Sequence, residues 1–258
     1  MAEDRSADDG ETIVLKLGGS VVTEKDAPET VDDEALSAAA DAVASADDDL
    51  VVVHGGGSFG HHHAAEYGVS TTEGTHAAAG VAAIHGAMKR LNDAVVTALT
   101  DRGVAAVPVH PFSAASRDAD GTLHLPTEQV RTLLAEGFVP VLHGDLVAHR
   151  GEGVTVLSGD ELVVELAPAV DADRVGVCST VPGVLDEDGA VIDRITEFDA
   201  VASALGASDA TDVSGGMAGK IRALLALSSP AHVFGPEALG DFLAGGDPGT
   251  TVAGGRTE

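Results

Sequence analysis

Short apolar runs that lead into glycine set the strongest limit on how this chain folds. TIVLKL (12–17) runs into Gly18-Gly19, LVVVH (50–54) into Gly55-Gly56-Gly57, FVPVLHGD (138–145) carries Gly144, and VTVLSGD (154–160) carries Gly159. A run of β-branched residues without polar alternation is a strand buried on both faces, which is the habit of parallel sheets covered by helices. Helical spacing fills the intervals. An Ala-rich helix is predicted over 33–46, opened by Asp32 or Asp33, and a long one over 75–101 with Ile84, Met88, Leu91, Val95 and Leu99 on one face. A further helix is predicted near 127–136, small hairpins around 118–121 and within 181–192, and a glycine-opened helix over 214–227. Strands are also predicted at 104–110, 173–180 and 231–235. The alternation predicts an α/β fold: a three-layer αβα sandwich around a mainly parallel open sheet. Glycine turns at the C-terminal ends of strands lie where such sheets place their ligands.

Lysine is the second constraint. The chain has 42 acidic residues and four lysines. Three of these, Lys16 in KLGGS, Lys25 in VVTEK and Lys220 in SGGMAGK, sit in or beside glycine-rich turns, whereas Lys89 lies in a helical pattern. Exposed backbone amides and an ammonium group together hold phosphate. HGGGSFGH at 54–61 adds more such amides. The clustering points to a protein that handles phosphate at more than one position.

The formal net charge of −28 fits a high-salt cytoplasm, where a dense carboxylate surface stays hydrated and its self-repulsion is screened. It argues against nucleic acid or an anionic membrane as partner. The single cysteine, Cys178 in RVGVCS, allows no intrachain disulfide and reads as a buried structural thiol. No apolar run approaches the roughly 18 residues needed to span a bilayer. The acidic N-terminus lacks an apolar signal region. Residues 1–11 are expected to be a flexible tail, 12–258 a single domain, and the protein cytoplasmic.

Two phosphate motifs fit poorly. Gly55, Gly57 and Gly60 match GxGxxG, yet the segment after 61 is helical and loop-like where a dinucleotide unit needs a second strand and an acid. GGMAGK (215–220) is followed by Ile221, so it is not a P-loop.

KLGGS (16–20), HGGG (54–57), the GD at 144–145, SGD (158–160) and GGMAGK (215–220) occur in an order and spacing that resembles the amino acid kinase superfamily. GGGSFGH (55–61) and PVLHGD (140–145) look like its isopentenyl phosphate kinase family. One departure is STVPGV (179–184), where the superfamily often carries a TDVDGV-like segment; Thr180 and Pro182 stand in place of acids. The resemblance implies ATP-dependent phosphorylation of isopentenyl phosphate in an archaeal mevalonate pathway, with Mg²⁺ and a homodimeric enzyme. It implies an acceptor half over 12–150 and a nucleotide half over 151–258. Carried onto this chain, the nucleotide contacts are Lys16, Gly18, Gly19, Ser20, Gly57, Asp160, Gly216 and Lys220. The acceptor contacts are Gly56, Ser58, His61 and Gly159, with Asp145 in support and Lys16, Lys25, His61 and Lys220 as the catalytic set.

Residue chemistry supports and limits these expectations. Phosphoryl transfer needs positioning and neutralisation of charge on the moving group. Lys16 and Lys220 reach for the β- and γ-phosphates, and Lys25 either steadies the transferred group or merely caps a loop. His61 follows the glycine turn and reaches an acceptor oxygen, whereas His62 and His63 read as surface or structural. Consecutive helical residues point about 100° apart, so the His run is not expected to share a metal ion. Asp145 and Asp160 orient the lysines or hold Mg²⁺-nucleotide, with helix capping as the other reading of Asp160. The small apolar segment 77–88 either lines an oily acceptor pocket or packs as an ordinary helix. No general base is evident, which fits a phosphate or carboxylate acceptor whose oxygen is already anionic. A carboxylate acceptor would need a cation, for which Lys89 and Arg90 are the candidates. A non-catalytic nucleotide sensor is disfavoured by the presence of all three motif lysines.

Overall fold

The computed structural model describes residues 10–206 and 216–254. The expected flexible tail therefore falls almost wholly outside the described residues, as does Gly215 of the GGMAGK motif.

The first half runs β1 (Thr12–Leu17), α1 (Gly19–Val22), α2 (Asp33–Ala44), β2 (Asp49–His54), α3 (Gly57–Tyr67), α4 (Ala78–Thr100) and β3 (Ala106–Pro108). Then come β4 (Ser116–Arg117), β5 (Leu123–His124), α5 (Glu128–Ala135), β6 (Val139–His143), β7 (Asp145–His149) and β8 (Gly153–Leu157). The second half continues with α6 (Gly159–Ala169), β9 (Arg174–Cys178), β10 (Arg194–Ile195), α7 (Ala202–Gly206) and α8 (Gly216–Leu225). It ends with β11 (Ala231–Phe234), α9 (Leu239–Leu243) and β12 (Thr250–Val252).

An eight-stranded sheet has the order β10-β12-β11-β9-β1-β2-β6-β3. Its pairings are parallel except for β12 against β11. Strand residues alternate between the two faces. Ile13, Leu15 and Leu17 of β1 pack with Leu36 and Val43 of α2, Leu99 of α4 and Phe242 of α9. Val14 packs on the opposite side with Leu162 and Leu166 of α6 and Ile221 of α8. Two helical layers thus enclose the sheet, as the alternation of strand and helix predicts. Cys178 is buried at the end of β9; burial and the nearby Glu237 push its thiol up to about 12.

Two expectations need correction. The run at 138–145 does not end in a turn at Gly144: the chain passes from β6 in the main sheet directly into β7 of a second, four-stranded sheet, β5-β4-β7-β8. VTVL (154–157) is accordingly not a strand of the parallel sheet. It forms β8, antiparallel to β7, after a turn at Gly151 and Gly153, both with positive φ. That turn is the overlooked signal, because closely spaced glycines between two apolar runs mark a hairpin.

Candidate active site

The ends of β9, β1, β2 and β6, neighbours in the main sheet, open onto one cavity of about 490 Å³. Gly18, Gly19 and Ser20 follow β1, Gly55–Gly57 follow β2, Gly144 follows β6, and Ser179 and Thr180 follow β9; all line it. The first two turns interlock backbone to backbone. A Cβ on Gly55 would lie 2.6 Å from the Gly19 nitrogen, and one on Gly19 would collide with the Gly57 nitrogen. Gly57 also has φ +48, a conformation that side chains resist. Thr23 ties the turns together: its hydroxyl donates to the Gly19 carbonyl (2.8 Å) and accepts from the Ser58 amide (3.0 Å).

Lys16 shares the face of β1 that carries Val14, so its chain runs toward α6. There its ammonium meets the Asp160 carboxylate at 2.6 Å. Asp160 is not the helix cap. Ser158 caps α6 in a reciprocal box with Glu161, which leaves Asp160 in the first turn free to take Lys16. Burial pushes the Asp160 carboxyl up, but the Lys16 and Lys220 charges and the Lys16 hydrogen bond outweigh it and hold the group below its ordinary range. Lys16, Asp160 and Lys220 all line the cavity, so one strand and two helices supply a compact charged cluster.

The other end of the cavity is mostly apolar, with Ser70, Thr71 and Glu73 beside it. Ala64, Ala65 and Val69 enter from α3 and the loop after it, Ile84 and Met88 from α4, and Val156 and Leu157 from β8. His61 on α3 joins the glycine-rich end to this one. Of the segment 77–88, only Ile84 and Met88 reach the wall; the α3 and β8 contributions were not expected from the sequence. Ala64 and Ala65 follow His61 at helical spacing, a signal that was available once α3 was recognised as a continuous helix.

His63 does not face the cavity. Its ring lies 2.6 Å from Glu29 and 3.3 Å from Glu66. Glu29 also binds Arg90 at 2.5 Å. The loop before α2 is thereby pinned to α3 and α4. The donor atoms of His62, His63 and Glu66 lie within 4.8 Å of one another, closer than the argument from helical angles anticipated.

Of the expected site residues, the cavity wall brings together Lys16, Gly18, Gly19, Ser20, Gly56, Gly57, His61, Asp145, Gly159, Asp160 and Lys220. Lys25, Ser58 and Gly216 are not part of it. Lys25 is exposed on the pinned loop, Ser58 is spent on Thr23 and on the Thr30 carbonyl, and Gly216 begins α8 with positive φ. Asp145 accepts from His85 (2.9 Å) and from the Leu146 amide (2.8 Å).

The family model described as "Amino acid kinase family" matches residues 11–234. The chain belongs to that family. Among curated members it is 66% identical over 244 residues to isopentenyl phosphate kinase of Haloferax volcanii, covering 94% of this chain and 98% of the relative. It is 36% identical over 231 residues to isopentenyl phosphate kinase of Methanothermobacter thermautotrophicus, covering 84% and 86%. A crystal structure of isopentenyl phosphate kinase superposes with a TM-score of 0.79 at 30% identity, over 93% of this chain and 100% of that one. The kinase-family fold is therefore the one expected from the glycine-ended strands. No helix among the described residues is long and apolar enough to cross a membrane.

Proposed function

We propose that this kinase transfers the γ-phosphoryl group of ATP to isopentenyl phosphate, yielding isopentenyl diphosphate and ADP in an archaeal mevalonate pathway. An acceptor phosphate oxygen attacks the γ-phosphorus as the bond to the β,γ-bridging oxygen breaks, and ADP leaves with that electron pair. No proton has to move, so none of the wall's histidine or carboxylate groups needs to act as a base. Lys16 and Lys220 neutralise the phosphates and Asp160 holds Lys16 in place. The backbone amides of Gly19, Ser20, Gly56 and Gly57 cradle phosphate oxygens, the Gly18 amide being spent on the Cys178 carbonyl, and His61 binds the acceptor phosphate. Gly159 joins the acceptor contacts. The acceptor side is drawn mainly from residues 12–150, joined by Val156, Leu157 and Gly159, and the nucleotide side from 151–258 together with Lys16 and the turn after β1. Lys25, Ser58 and Gly216, being off the cavity wall, act only if the chain around them moves on binding.

The observation that carries the acceptor is the apolar end of the cavity together with the placement of the spare cations. An amino-acid acceptor would need a cation for its carboxylate. Lys89 and Arg90 are absent from the wall, and Arg90 is paired with Glu29. Ile84, Met88, Val156 and Leu157 suit a short hydrocarbon instead.

Mg²⁺ fits this cavity as a nucleotide complex. Asp160 is engaged with Lys16 and Asp145 with His85, so no cage of free carboxylates is formed by these two. The ion would ride on the phosphate oxygens, with Asp160 as the nearby protein carboxylate, and would supply charge neutralisation. The reading includes a cytoplasmic homodimer, which light scattering at high salt checks. Its main test is an ADP-release assay in molar KCl with isopentenyl and dimethylallyl phosphate, glutamate, aspartate, carbamate and UMP. Turnover is expected for the isoprenoid phosphates; preference for a carboxylate, carbamate or nucleotide would overturn it.

A further inference from the structure

Two buried histidines stand directly behind the cavity, and the reaction proposed above makes no use of them. His54 ends β2 and His143 ends β6, and they are partners in register across that parallel pair. Both are 0% exposed. Their rings stack, with centroids 5.6 Å apart and planes 24° from parallel. Each ring makes the same contact: Nδ1 lies 3.0 Å from the carbonyl oxygen of the glycine that follows, Gly55 in one case and Gly144 in the other. Both glycines belong to the cavity wall.

A carbonyl oxygen only accepts, so each Nδ1 carries the hydrogen. Each Nε2 is then an acceptor, and each has a donor. Asn92 donates to His54 Nε2 at 3.2 Å, and His110 Nδ1 donates to His143 Nε2 at 2.8 Å. The tautomers of all three imidazoles follow from this one chain of contacts. Burial lowers the His54 ring to about 4 and the His143 ring to about 3, so both stay neutral near pH 7.

The consequence lies in the peptide planes. In a trans peptide the C=O and the next N–H point in opposite directions. With its carbonyl drawn to a buried ring, the Gly55–Gly56 peptide turns its N–H away from the core. Among the described residues the Gly56 amide has no hydrogen-bond partner, and Gly56 lines the cavity. The two glycine segments are also tied to each other, because the Gly144 amide donates to the His54 carbonyl (2.9 Å). Asp145, which follows Gly144, is delivered to the same wall.

We infer that His54 and His143 are positioning residues that hold the Gly55 and Gly144 carbonyls inward as Nδ1–H tautomers, and so aim the Gly56 amide, and the stretch of wall that Gly144 contributes, at the bound phosphate groups. The inference rests on the phosphoryl-transfer reading for its kinetic consequence, but not for its tautomers.

Two measurements test it. In the ¹⁵N-histidine-labelled wild-type protein, long-range ¹H–¹⁵N spectra near neutral pH should show protonated Nδ1 and bare Nε2 in both rings. An Nε2–H tautomer or a protonated ring at either position overturns the inference, with no substrate involved. In the kinetic arm, His54→Asn keeps an N–H donor at the Nδ1 position, whereas His54→Leu and His54→Gln do not. His54→Leu should lower kcat about tenfold or more, the scale of misaiming a preorganised donor. His54→Asn should recover most of it, at similar thermal stability. Equal kcat in folded His54→Asn and His54→Leu overturns the inference; if the Leu variant does not fold, the spectra decide. A wild-type protein inactive on isopentenyl phosphate would sink the proposed function and leave the tautomer result standing.

Discussion

The Lys16 ammonium on β1 and the Asp160 carboxylate on α6 meet at 2.6 Å, with the Lys16 side chain only 9% exposed. A cation so placed depends on its partner, because an unpaired charge in a poorly hydrated site is costly. The pair couples the first strand of the fold to the helix that opens the second half.

Removing either side of this pair should therefore have different consequences. Lys16→Ala and Lys220→Ala should each lower kcat by roughly 10²-fold with modest loss of stability. Asp160→Ala should lower kcat similarly and also destabilise the fold by about 2 kcal/mol, since it removes a carboxylate from beside a mostly buried ammonium. Lys16→Arg should not restore activity, because a planar guanidinium does not replace a compact ammonium. Steady-state kinetics with thermal melts separate these effects, and an unchanged kcat for Lys16→Ala would remove the cluster from the mechanism.

The histidine run should divide by position. His61 lines the cavity, so His61→Ala should damage acceptor use while nucleotide affinity stays nearly intact. His62 is exposed and its replacement should do little. His63 is bound to Glu29, so His63→Ala should lower the melting temperature by a few degrees with little effect on acceptor KM. Identical kinetics for His61→Ala and His62→Ala would contradict this division.

Acid should unfold the protein through its buried histidines. His54 and His143 fall from an ordinary 6.5 to about 4 and about 3 on folding. The folded state thus holds them neutral while the unfolded chain takes up protons below 6.5. Their contribution is fully present above 6.5 and is lost as pH falls toward about 4 and then 3. Chemical denaturation across that range should show a steep decline that His54→Asn lessens. A flat profile would mean that the rings are hydrated.

Stability should rise with salt. A net charge of −28 repels itself, and a core of Val, Leu and Ala has few large aromatics to offset the repulsion. Melting temperatures should keep increasing beyond roughly 1 M KCl, where simple screening is nearly complete. A temperature that is flat from low to molar salt would assign the acidic surface another purpose.

Local pattern was enough for much of the fold. The β1 and β2 runs could only be buried strands, and Gly18–Gly19 and Gly55–Gly57 could only be close turns at their ends. The α4 stripe Ile84, Met88, Leu91, Val95 and Leu99 is buried apart from its use at the cavity wall. Gly144 misled because a glycine between two apolar runs reads alike whether the chain turns back or bends into a second sheet. The placement of Lys25 was not legible either, because a rare cation beside a glycine turn in sequence need not face it in space; here it is exposed on a loop that Glu29 ties to His63 and Arg90.

Sequence alone determined which segments are strands and helices, where the amide-rich turns lie and which side chains carry charge, because these depend on neighbours a few residues apart. Only the tertiary structure decided that Lys16 meets Asp160, that Asp145 serves His85, and that His54 and His143 stand in register behind the glycines. Such pairings follow from how strands align and how helices settle on them, and that geometry is a property of the packed whole which no short window of residues contains.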